Sequence, residues 1–397
     1  MAIVNFPYRF EGFFEPHMIQ QTAVRPAPMD VVRRLRNFDD KDYWYIDFLI
    51  GMNLSVAASF ITSTFGMIEQ IRTGQVTLFL NNNMEAFHNV VDYIYRVFVI
   101  NLEIPPEYII LMSESATIDE EVRSTANRYD TGLIQVEWVR VFEEWMRDIE
   151  LDALYKTSLV QEPMPTLEIK PYEKKFLSLN RRWRAHRPVL VALLKVYGLL
   201  DQGYVSLGES DDHRNWSTFW ESFMSYVECM DEEDRHRLFE HKDEISNLPL
   251  MYLDTTDLIA DRGFLTDSTD FYYANTYFSV ITETNFYIWH GHGVFLSEKI
   301  FKPVIKKHPF IVLAAPYTLA KLRHIGYKTF DGIVDESYDS EINDFKRMSM
   351  IVREIKRLCN LDSAQLERFL TIAKDICEHN YELIRNRKNE EYVVKLL

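Results

Sequence analysis

The sequence predicts an α/β protein of two domains, each folded around a parallel sheet. Three observations predict it. The chain has 397 residues, more than a single hydrophobic core ordinarily serves. Short β-branched and apolar runs alternate with helical stretches, the order that builds parallel sheets. That alternation also comes in two series, separated by a stretch containing Pro163, Pro165 and Pro171. The 47% hydrophobic and 14% aromatic content, with 13 glycines, suits packed cores and argues against disorder or low complexity.

Residues 1–40 carry Pro7, Pro16, Pro26 and Pro28 and read as an arm that packs on a domain. The first domain is expected over 41–160. Residues 43–49 alternate as a strand, and 56–70 have helical spacing. Residues 75–80 form a strand, and Asn81 to Asn83 break it and can cap the next helix. Over 85–102, Val90, Val91, Ile94, Val97 and Phe98 fall at helical spacing, and Pro105 and Pro106 end that run. A second buried strand, 108–112, completes a strand–helix–strand unit. Another strand-to-helix passage centres on 134–141. Residues 161–172 are the expected linker.

The second domain is expected over 173–362. Its strands are 174–179, 204–207, 248–253, 277–282 and 309–315. Its helices are 188–200, 216–230, 232–240, 318–325 and 343–358. Ser297 can cap a helix starting at Glu298, with Pro303 disturbing its first turns. Residues 363–397 are expected as a last helix and tail, packing back on the first domain.

The net charge of −16 weighs against nucleic-acid binding through the whole surface, although one basic cleft can still hold a phosphate or a strand. Cys229, Cys359 and Cys377 are too few and too scattered for a disulfide framework or a zinc site, and fit buried thiols in a reducing compartment. The first ten residues lack the basic start and apolar run of a signal peptide. The longest apolar stretch, 43–65, is broken by Asp47, Gly51 and Asn53, so no membrane span is expected. The expected location is the cytoplasm, or the host cytoplasm for a viral protein.

Chemistry concentrates in the second series. Asn180, Arg181, Arg182, Arg184, His186 and Arg187 lie between a strand and a helix, in an otherwise acidic chain. In a parallel sheet that is the carboxyl edge, where ligands bind, and arginine forks match phosphate. The alternative is a solvated basic loop. Glu298 and Lys299 at a helix start suit the two ends of a nucleotide: the carboxylate for ribose hydroxyls, the ammonium for a diphosphate. Lys302 lies one turn on, on the same face. By themselves these residues equally read as a surface ion pair. Glu283 closes a strand and reads as a sugar ligand, a general base or a cap. His290 and His292 lack further ligands at metal spacing, so their loop is read as a cover for the pocket, with Trp289 stacking on a base. Asp331, Asp335, Glu336 and Asp339 form an acidic loop, solvated or packed through Phe330 and Tyr338.

Taken together, Glu283, Asn285 and the run Phe295-Leu-Ser-Glu-Lys-Ile-Phe-Lys302, followed by an apolar strand, resemble the donor motif of the α1,3-fucosyltransferases. The longer stretch from Gly326 to Asp339, together with the arginine segment, looks closer to phage and large-virus glycosyltransferase-like proteins. The resemblance covers about residues 173–345. It implies a GT-B fold, two Rossmann-like domains whose parallel sheets face a central cleft, with acceptor bound by the first and nucleotide-diphosphate sugar by the second. It implies Glu298 on the ribose, Lys299 on the phosphates with help from the arginine segment, and Glu283 and Asn285 near the donor sugar. It also implies inverting, metal-independent transfer with no cofactor beyond the donor co-substrate. Ser297 and Phe295 stand where those enzymes have Thr and Tyr, and Asn285 follows Glu283 by two residues rather than one, so the donor sugar does not carry over.

The acceptor hydroxyl needs a base. Glu85, His88 and Glu114, at strand ends of the first domain, are the candidates. The acceptor is a glycan, a small molecule or, as in some phage enzymes, a modified DNA base. A non-catalytic nucleotide-binding or structural protein on the same fold is the alternative. A dinucleotide-dependent dehydrogenase is disfavoured, because no Gly-x-Gly-x-x-Gly follows any strand.

Overall fold

The computed structural model describes residues 42–47, 58, 61, 62, 66–82, 90–157, 170, 172–208, 215–224, 229–251, 253, 269–287, 293–388 and 393–395. The chain is α/β and divides into two compact units: residues 1–144 with 387–397, and residues 145–386. The division falls inside the helix Val141–Thr157. The proposed arm 1–40 lies outside the described residues, as does the linker apart from residues 170 and 172.

Unit 1 holds a five-stranded sheet in the order β1 (Asp42–Asp47), β2 (Val76–Asn82), β3 (Ile109–Ser113), β4 (Gln135–Val139) and β9 (Val393–Lys395). β1 to β4 pair in parallel, and β9 joins β4 antiparallel. β3 is buried at every position, as expected of a parallel strand covered on both faces. Helix Ile118–Tyr129 covers the sheet with Ile118, Val122, Thr125 and Ala126, one face at helical spacing. The expected helix over 85–102 is described from Val90. It runs as α-helix to Ile94 and then widens to a π-helix over Tyr95–Asn101, closed by Leu102 N–H donating to Val97 O. The described strands follow one another without reversal, so this sheet has no topological switch among them.

Unit 2 holds a four-stranded parallel sheet in the order β6 (Gly203–Val205), β5 (Phe176–Ser178), β7 (Phe278–Thr282) and β8 (Phe310–Leu313). The chain starts at β5, steps outward to β6, then crosses to the other side for β7 and β8. That reversal makes the carboxyl ends of β5 and β7 a topological switch point. Helices His186–Val196, Glu298–Ile305, Asp344–Cys359 and Ser363–Asn386 bury apolar faces in the same core.

Three expectations change. Among the described residues of 248–253 no strand forms: Met251 pairs with Leu207 in an isolated antiparallel bridge. Pro249 has no N–H to offer a ladder. The helix from Glu298 continues through Pro303 to Ile305, because it is short and few carbonyls lose a donor. The last long helix, Ser363–Asn386, groups with unit 2, and only the tail from Arg387 groups with unit 1. There Arg387 Nε lies 2.8 Å from the buried Glu143 carboxylate, while β9 closes the sheet edge.

Candidate functional site

The switch point is built by side chains that tie one strand end to the next. β5 runs on to Asn180, whose Oδ1 accepts from Thr282 Oγ1 at 2.6 Å. Asn180 N–H donates to Ser206 Oγ at 2.8 Å, and its carbonyl accepts from Gly208 N at 2.9 Å. Asn180 is fully buried and locks β5, β6 and β7 together. Gly208 is required there: a Cβ would stand 1.8 Å from the Arg181 carbonyl oxygen.

The loop then turns into helix His186–Val196. Arg182 and Arg184 are exposed, and Arg181 is half-buried. Arg187 is 3% exposed, donating to Arg182 O at 2.9 Å and Thr282 O at 3.1 Å. Its Nε has no acceptor, and no carboxylate forms an ion pair with it among the described residues. Burial and the neighbouring Arg184 lower its guanidinium to about 10. His186 is buried, and its Nε2 donates to the Glu283 carbonyl at 2.9 Å, which fixes the tautomer. Burial, then Arg187, holds its imidazole well below the ordinary value, so it is neutral.

Glu283 follows β7 and is completely buried. Ser297 donates to its carboxylate through both N–H and hydroxyl, and Thr284 N–H adds a third bond at 3.2 Å. Burial raises its pKa above the ordinary carboxylate value, against the pull of Lys299. This carboxylate pins the start of helix Glu298–Ile305 to the end of β7. Ser297 caps that helix, accepting from Lys299 N–H. Lys299 Nζ reaches Glu298 at 2.8 Å and Ser297 Oγ at 3.1 Å. Burial raises Glu298, but Lys299 together with hydrogen bonds from its own backbone and Ser297 holds the carboxyl below its usual value. Asn285 is buried and spans the base of the next loop, donating to Gly293 O at 3.2 Å and accepting from Ala315 N at 2.9 Å.

The structure therefore brings together Asn180, Arg187, His186, Glu283, Asn285, Ser297, Glu298 and Lys299. Lys302 is buried at 9% exposure, whereas the Lys299 side chain retains 28%. The two lysines do not share an exposed face.

Glu114 sits after β3 in unit 1, 2% exposed, accepting from Phe142 N–H at 3.1 Å. Glu85, His88, Trp289, His290 and His292 lie outside the described residues. No group of three or more His, Cys, Asp or Glu able to hold a metal is found among the described residues. No described helix is long and apolar enough to cross a membrane.

One structural feature has no counterpart in the sequence pattern. Arg347 is buried beneath the site, donating to Phe286 O at 2.5 Å, Ala314 O at 3.0 Å and Glu341 O at 2.8 Å, and pairing with Asp344. It lies 4.4 Å from the Phe286 ring, which stacks on His186 at 5.4 Å. Nothing in the local sequence distinguishes it from the surface arginines of an amphipathic helix. The acidic loop is packed rather than solvated. Asp339 accepts from Leu319 and Ala320 N–H at 2.8 and 3.0 Å, and Glu336 accepts from Phe330 N–H at 2.7 Å. Asp335 likewise accepts from Ser337 N–H at 3.0 Å, while Asp331 is exposed.

No family model, curated protein or solved structure matches this chain.

Proposed function

We propose that the protein is a glycosyltransferase of the GT-B type, with a nucleotide-diphosphate sugar as donor at the carboxyl edge of the second sheet. Arg187 carries this reading: a buried guanidinium at a topological switch point, with an unused donor and no ion-pair partner among the described residues. A buried cation without a direct ion pair is costly even with Glu283 and Glu298 nearby, and a diphosphate would supply that partner. Arg187 acts through its field, while exposed Arg184 and partly exposed Lys299 are the contacting groups. Glu298 takes the ribose hydroxyls. Glu283 is reassigned from chemistry to positioning, since Ser297 and Thr284 already occupy its oxygens.

In transfer, the acceptor hydroxyl oxygen bonds to the anomeric carbon as the bond to the diphosphate oxygen breaks. The diphosphate leaves with the electron pair, stabilised by Arg184, Arg187 and Lys299. The hydroxyl proton passes to a base. Glu114, the described candidate, is 2% exposed and already accepts from Phe142 N–H, which suits it to structure rather than to that role. The acceptor is a glycan, a small molecule or a hydroxymethylated DNA base.

A second reading, nucleotide binding without turnover, is favoured by one observation. Both carboxylates at this edge are already engaged, Glu283 by Ser297 and Glu298 by Lys299. Incubation with a panel of nucleotide sugars separates the two. A transferase releases nucleoside diphosphate, faster with an oligosaccharide or hydroxymethylated DNA present, and Lys299→Ala abolishes the release. Binding with no release under any acceptor would leave only the second reading.

A further inference from the structure

β8 ends at Leu313, and four residues later the chain reaches Tyr317 at the same carboxyl edge. Tyr317 is left-handed, with φ 66° and ψ 13°, and the residue is 50% exposed. Its backbone is firmly held. Tyr317 N–H donates to Asp339 O at 2.6 Å, and its carbonyl accepts from Lys321 N at 3.0 Å. Thr318 Oγ1 donates to Ala315 O at 2.6 Å, and Ala315 N–H donates to Asn285 O at 2.9 Å, joining this turn to the loop after β7. The Tyr317 side chain makes no hydrogen bond, ion pair or ring contact among the described residues.

We propose that Tyr317 is the platform on which the nucleobase stacks, an inference that rests on the donor-site reading above. A bulky residue in the left-handed region is strained, and glycine or asparagine would avoid the strain. A half-exposed ring also gains little from burial. An aromatic on a rigid, strained mount beside a ligand edge fits a ring kept for a planar partner. The order along the edge assigns that partner. Arg184 and Arg187 follow β5, Glu298 follows β7 and Tyr317 follows β8. Neighbouring strands lie about 4.8 Å apart, so β5 to β8 spans about 10 Å. Phosphates on the arginines and ribose on Glu298 then place the base over Tyr317.

Calorimetric titration with UDP, GDP and inorganic pyrophosphate tests this. Tyr317→Asn removes the ring yet suits the left-handed backbone, so its thermal stability should equal or exceed that of the wild type. Its affinity for the preferred nucleotide should fall about five- to a hundredfold, the range that base–aromatic stacking supplies. Pyrophosphate affinity should be unchanged, and Tyr317→Phe and Tyr317→Trp should keep nucleotide affinity within about threefold. Equal nucleotide affinity in wild type and Tyr317→Asn overturns the inference while leaving the donor-site reading intact. A loss shared by pyrophosphate also overturns it, since the ring then meets something other than the base. If the wild type binds neither nucleotide, the donor-site reading fails and this inference with it.

Discussion

Ser297 donates twice to Glu283, through its N–H at 3.1 Å and its hydroxyl at 2.5 Å. One serine thereby caps helix Glu298–Ile305 and satisfies the carboxylate that ends β7. Ser297→Ala should cost about 1–3 kcal/mol, from the lost cap and a buried acceptor left short of a donor. Ser297→Thr keeps the hydroxyl and should recover most of it. Urea denaturation midpoints measure both.

Arg347 should be the more damaging site. Arg347→Met strands Asp344 and three loop carbonyls in the interior. Breaking a buried pair from one side costs about 3–5 kcal/mol. Chemical denaturation should show that loss. Replacing Arg347 and Asp344 together by apolar residues should cost less than Arg347→Met alone.

Asp339 anchors the first turn of helix Thr318–His324 through two backbone donors. Asp339→Ala should destabilise by about 1–2 kcal/mol, while Asp339→Asn, which keeps an oxygen, should lose less. Thermal melts distinguish the two.

Glu121 gives a pH dependence. Burial raises its carboxyl from 4.5 to about 7, with Arg128 opposing and Asp92 adding to the rise. The folded chain therefore holds this proton more tightly than the unfolded chain. The contribution is fully present below pH 4.5 and is lost as pH rises through about 7. Relative to Glu121→Gln, the wild type should lose on the order of 2 kcal/mol of stability between pH 4.5 and 8. Parallel stability curves for the two proteins across that window would contradict it.

Much of the fold is legible because parallel strands announce themselves as buried runs. Ile109–Ser113, Phe278–Thr282 and Phe310–Leu313 coincide with apolar stretches in the sequence. Helix Ile118–Tyr129 is harder to see: Ile118, Val122 and Ala126 are its apolar face, but three acidic residues in the first turn give it the look of a polar loop. β9 is not legible: three residues carry no period, and only pairing with β4 makes them a strand.

The candidate site is half legible. Residue type and strand-end position bring out Asn180 to Arg187, Glu283 and Glu298-Lys299. Burial separates their roles, and burial is a tertiary property. It turns Glu283 and His186 inward, buries Lys302, and leaves Arg184 and part of Lys299 to solvent. Arg347 and Tyr317 stand out only through their contacts and backbone geometry.

The central claim is that the carboxyl edge of the second sheet binds a nucleoside diphosphate. Thermal denaturation with and without saturating UDP, GDP and their sugar conjugates tests it most directly, in the wild type, Arg184→Ala and Lys299→Ala. At about a hundredfold excess over the dissociation constant, the wild type should gain about 2.7 kcal/mol. Arg184→Ala should melt normally alone, Lys299→Ala should melt lower because Glu298 loses its ion pair, and each should lose most of that gain. A wild type that no nucleotide stabilises, or variants that respond as strongly as the wild type, would contradict the claim.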